Sequence, residues 1–126
     1  MLIEALIAIL LFSTGILAMI AMQGLAISYA ADAKYRSDAS FLANELMGQI
    51  WIDRSQLANY AYPGGTAPAL ATWKAKLDGA LPGTAANPPV IAIDAATGTV
   101  DITIRWQAPS ADSARNYRSI AIVTNP

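Results

Sequence analysis

Apolar and polar positions along the chain change their rhythm twice. From Met1 to Ala31 the only charged side chain is Glu4, and apolar residues fall on every side of the segment rather than in a stripe. As a helix, the stretch from Ala5 to Met22 rises about 27 Å at 1.5 Å per residue, close to the roughly 30 Å of a bilayer's hydrocarbon core. Beyond it the pattern becomes one-sided. Tyr35, Ala39, Leu42, Ala43, Leu46, Met47 and Ile50 recur at spacings of three and four, with Lys34, Arg36, Ser37, Asp38, Ser40, Asn44, Glu45 and Gln49 on most of the remaining surface. No proline interrupts before Pro63. The spacing predicts a single helix from near Leu2 to about Ala58, apolar over residues 1–27 and amphipathic over residues 28–58.

The second change comes after a loop at Asn59 to Pro68, rich in proline, glycine and tyrosine. Leu70, Trp73 and Leu77 then predict a short helix with Gly79 at its C-terminal cap, and Leu81 to Pro89 reads as loop. Val90 to Ile93, a turn at Ala95 to Gly98 and the alternating run Thr99 to Gln107 predict two strands. Val100, Ile102, Ile104 and Trp106 share one face, which the long helix is expected to cover. A polar loop over Ala108 to Asn116 leads to a last strand near Tyr117 to Thr124. The fold class is α+β, with a small antiparallel sheet of three or four strands in residues 59–126.

Composition narrows the function classes. Charged residues make up 13% of the 126, against about 25% in soluble domains, and the N-terminal segment explains most of the difference. The net charge of −1 provides no basic footprint for nucleic acid, and no lysine cluster adjoins the apolar run to read anionic lipid. Cysteine and histidine are absent, which removes disulfides, thiolate chemistry and the commonest general base and metal ligand. Asp53 with Arg54, Lys74 with Lys76, and Ser110, Asp112, Ser113 and Arg115 read as solvated charges and hydroxyls. The acids Asp32, Asp38, Asp94 and Asp101 lack the spacing of a calcium loop, and Gly64-Gly65 matches no phosphate loop. No catalytic residue, metal or cofactor is expected. Trp73 and Trp106 belong to apolar stripes and are assigned to the core, whereas Trp51 and Ile52 lie off the main stripe and are candidates for contact with a neighbouring subunit. Gly15 and Gly24 mark places where the helix bends or packs closely.

The N-terminal run does not show the pattern expected of a secretory signal, a basic n-region, an apolar core of about 7–15 residues and a small-x-small cleavage site. Nor does a plain anchor need Glu4, since a carboxylate near hydrocarbon costs about 2–3 kcal/mol on insertion scales. Met1-Leu2-Ile3-Glu4-Ala5-Leu6-Ile7-Ala8-Ile9-Leu10, followed by Gly15-Ile16-Leu17, resembles the N-terminal segment of type IV pilins. That pattern places a glutamate fifth in the mature chain after a cleaved glycine. Leu81-Pro82-Gly83 and Val100 to Trp106 extend a resemblance to the pilus-modification (PilV-like) minor pilins. Glutamate stands fourth here, so the resemblance implies that one mature residue, with a basic leader and glycine before it, precedes Met1.

The resemblance implies a pilin-like fold and a minor pilin that primes type IV pilus assembly near the tip, with roles in twitching motility and adhesion. Its partners would be other minor pilins, the major pilin, a tip adhesin, the inner-membrane assembly platform, membrane lipid before assembly, and the prepilin peptidase that cleaves and N-methylates the chain. The globular part would be periplasmic before assembly and extracellular afterwards. Glu4 would pair with a neighbour's N-terminal amine. Ala21 stands where major pilins usually carry a proline, and the disulfide many pilins form is absent. Two other readings stay open: a minor pseudopilin of a type II secretion system, and a membrane-anchored binding module.

Overall fold

The computed structural model describes residues 1–124. The chain separates into two compact units, Met1–Ala33 and Lys34–Pro126, with helix α1 (Leu2–Ile52) contributing to both. In the first unit α1 is helical throughout and every side chain from Met1 to Tyr29 is exposed. Thr14 satisfies its hydroxyl locally by donating to the carbonyls of Leu10 (3.1 Å) and Leu11 (2.9 Å), as hydroxyls do in helices surrounded by apolar material.

The second unit is α+β. The remainder of α1, a 3-10 segment (Arg54–Tyr60) and helix α2 (Pro68–Ala80) surround one face of an antiparallel sheet of β1 (Val90–Asp94), β2 (Thr99–Trp106) and β3 (Arg115–Ile122), in the order β1-β2-β3. The predicted stripe is the buried one: Ala39, Leu42, Ala43, Leu46 and Ile50 on α1 meet Val100, Ile102, Ile104 and Trp106 on β2 in one core. Leu70, Trp73 and Leu77 of α2 close it from the side. Trp73 donates its indole N–H to the Leu42 carbonyl at 2.8 Å, so a large aromatic is buried with its polar atom satisfied. Lys76 of α2 also pairs with Glu45 of α1.

Three boundaries differ from the expectation, each for a tertiary reason. The α-helix stops at Ile52 instead of Ala58, and Arg54–Tyr60 tightens into a 3-10 turn with a non-helical Gln56. No breaker residue stands there; residues at i and i+3 eclipse in a 3-10 helix, which turns Leu57 and Tyr60 together into the core. Gly79 does not cap α2. The helix runs one residue further and ends when the Leu81 N–H donates to the Leu77 carbonyl. The left-handed glycine that follows α2 is Gly83 (φ 70°), where a Cβ would stand 2.9 Å from the Gln107 carbonyl oxygen. β3 begins at Arg115 rather than Tyr117, because Arg115 and Asn116 pair with Trp106 and Arg105. Among the described residues the sheet has three strands.

A cavity term governs the core. Ile104→Ala should destabilise the second unit by about 2–4 kcal/mol, whereas Phe41→Ala, on the exposed side of α1, should change stability by less than about 0.5 kcal/mol. Urea unfolding of the two variants checks the contrast; equal midpoints would refute the assignment of the stripe.

Candidate functional site

The structure presents two kinds of surface outside its core. The first is the N-terminal helical unit. Its apolar side chains, among them Leu6, Leu10, Phe12, Leu17 and Met22, are each more than half exposed, and none of the most apolar window is buried by the chain itself. This helix is long and apolar enough to serve as a membrane anchor.

Glu4 is exposed in the first turn of α1 and makes no hydrogen bond or ion pair among the described residues. A carboxylate there faces the unpaired N–H groups of the helix start and the positive end of its dipole. The position therefore stabilises the helix while leaving the carboxylate free for a cation from elsewhere. Gly15 and Gly24 lie inside uninterrupted helix, and a Cβ at either would meet nothing within 4 Å. Nine residues separate them, about 900° at 100° each, so they face opposite sides of the helix. Each offers its own flat spot to a neighbour, and the two cannot line one groove.

The second surface belongs to the amphipathic part of α1 and its exit. Trp51 is 40% exposed and Ile52 76% exposed. Phe41, which the stripe reading passed over, is exposed and lies eleven residues before Ile52, about 20° away around the helix. The signal was available as spacing but masked by the polar residues between.

Asp53, expected to be a solvated charge, is half-buried. It accepts hydrogen bonds from the Tyr60 hydroxyl and, at 3.2 Å, from the Gln49 amide. The first of these, with the second added, holds its carboxyl below the usual carboxylate range. The pair ties the end of α1 to the 3-10 segment. Asp101 is likewise held low by Arg118, which reaches across from β3 with distances of 2.5–3.1 Å. Asp94 caps the β1–β2 turn by accepting from the N–H of Ala96 at 3.0 Å.

A cleft of about 600 Å³ between the 3-10 segment and the β1–β2 turn is lined by a single charged residue, Arg54, among Ser55, Gln56, Asn59, Thr97 and backbone. It contains no acid–base pair. Among the described residues no group of three His, Cys, Asp or Glu side chains is placed to hold a metal ion. No family model, no curated protein and no solved structure matches the chain.

A depressed carboxyl contributes stability that is present above its unfolded pKa, about 3.9, and is lost as pH falls through the folded value. Tyr60→Phe should raise the Asp53 titration toward the ordinary range and shrink its share of that acid loss. A carboxyl-carbon NMR titration measures this; an unmoved midpoint would show that Tyr60 does not hold the charge.

Proposed function

We propose that the chain is a minor subunit of a type IV pilus, held in the inner membrane by its apolar helix and then drawn into the filament during priming of assembly. The observation that carries this reading is an uncovered apolar helix with one carboxylate, Glu4, exposed and unpaired in its first turn. The resemblance of Met1 to Leu17 to the pilin N-terminal segment adds to it.

The physics is a transfer between two apolar surroundings. Leaving lipid for a bundle of similar helices gains little hydrophobic free energy, so register must come from packing and polar matching. Glu4 supplies the polar match, pairing with the N-terminal amine of a neighbour. Gly15 and Gly24 permit close approach on two sides, and Trp51 and Ile52 extend the contact to the water-exposed part of the helix. The second unit stays on the periplasmic side until assembly carries it outside the cell.

An interhelical polar contact is worth about 1–2 kcal/mol, or about five- to thirtyfold in occupancy. Glu4→Leu should therefore reduce the subunit recovered in sheared pili by about that factor, while its membrane level and the melting of the second unit stay the same. Undiminished recovery in pili would refute the proposal. Recovery with secretion-system pseudopilins instead of pilus subunits would move the helix to that machine.

A further inference from the structure

The sheet has two edges, and they are built differently. At the β1 edge Ile91 exchanges hydrogen bonds of 3.0 Å with Tyr62 in both directions, and Pro88 and Pro89 stand just before the strand. That edge is partly paired and interrupted by residues that cannot donate.

The β3 edge carries neither device. Backbone groups alternate along an antiparallel strand, each residue turning its N–H and C=O to the same side. The Val123 N–H donates to the Gly98 carbonyl at 2.7 Å, which continues the β2–β3 register. Odd-numbered residues, including Tyr117, Ser119 and Ala121, therefore bond to β2. Asn116, Arg118, Ile120 and Ile122 turn their backbones outward, and among the described residues nothing in the backbone accepts from or donates to them. The same four side chains lie on the exposed face, with Ile120 55% and Ile122 60% exposed. The strand has no proline, no lysine and no bulge over its whole pairing. Of its two exposed arginines, Arg118 is drawn over the sheet to Asp101 rather than left to guard the edge, and Arg115 stands at the very start of the strand.

We propose that the outer edge of β3 takes up a strand from a different protein chain. An unprotected edge of this length is a template for strand addition, with main-chain hydrogen bonds giving affinity and alternate side chains giving specificity. Charge chooses the occupant. β3 contains two arginines and no acid, so a second copy laid edge to edge offers neither arginine a carboxylate and, with Arg118 opposite Arg118, sets like charges together. The complementary strand is apolar and β-branched opposite Ile122 and Ile120, and carries carboxylates toward Arg115, which makes no ion pair among the described residues. Antiparallel pairing, the more stable arrangement per residue, puts the partner's apolar half first in its sequence. This surface is independent of the N-terminal helix and of the pilus reading.

The test uses the full chain in detergent micelles and a synthetic peptide of about ten residues, valine alternating with threonine in its first half and glutamate with threonine in its second. Saturating peptide should slow amide exchange at Asn116, Arg118, Ile120 and Ile122 by about tenfold or more, leaving Tyr117 and Ser119 unchanged. N-methylation of the peptide on the residues facing β3 should abolish this, and on the alternate residues should not. Ile120→Pro removes an outward N–H that no ladder bond uses, so circular dichroism should be unchanged while peptide affinity falls at least about tenfold. Ile120→Lys, which keeps the backbone intact, should weaken binding similarly. No slowing at about millimolar peptide, or equal binding of the two methylated peptides, would overturn the proposal. Concentration-dependent self-association of the chain, abolished by Ile120→Lys, would overturn the choice of a different chain as the occupant.

Discussion

An apolar surface that the chain cannot cover for itself constrains everything else in this protein. Residues 1–29 are exposed along their full length, and at roughly 25 cal/mol per Å² contact with water would be costly for each of those leucines, isoleucines and methionines. The helix is therefore defined by what surrounds it. Within that requirement a single ionisable group, Glu4, stands out because its surroundings must also supply a positive partner or hydrating water. The rest of the chain has to fold without help from this segment, and it does so with a core drawn entirely from Ala39 onward.

That core has a simple division of labour. β2 is the central strand, with every second side chain buried and its backbone bonded on both sides. α1 and α2 cover one face. The other face is left to polar side chains, among them the pair of Asp101 on β2 with Arg118 on β3, and to the isoleucines of β3. Short polar ties join the helices to each other and to the loop that follows them: Trp73 to the Leu42 carbonyl, Lys76 to Glu45, and Tyr60 to Asp53. Each satisfies a group beside apolar contacts, which limits the ways in which α2 and the 3-10 segment can be docked.

What could be read from the residues in advance was whatever local periodicity encodes. The alternation Val100, Ile102, Ile104, Trp106 and the stripe Ala39 to Ile50 each require a period that only one secondary structure provides, and both faces were legible before folding. The end of α1 was not, because Leu57 and Tyr60 are as compatible with a continued helix as with the tightened turn that buries them. Gly79 looked like a cap, yet the chain reverses at Gly83, where the backbone of Gln107 leaves no room for a side chain. At the candidate sites, Glu4 was conspicuous by isolation in an apolar run. The hydrogen bonds on Asp53 were invisible, since they depend on a tyrosine seven residues away being turned inward. The open backbone of β3 was invisible too, because an edge is a property of strand order.

The position of β3 in the chain also bears on the order in which the elements of the sheet are synthesised. Val100, Ile102, Ile104 and Trp106 find their hydrogen-bonded strand partners only in residues 115–122, and Val123, nearly inaccessible to solvent, closes back on Gly98. A ribosome therefore releases the apolar helix long before it releases the strand that completes the sheet. Until then α1 from Ala39 to Ile50 has no complete sheet to receive its stripe, and contacts spanning seventy or more residues, such as Ser40 with Tyr117, carry the largest loop-closure cost. The layout of the chain thus places the apolar segment first in synthesis and, among the described elements, the strand that completes the sheet last.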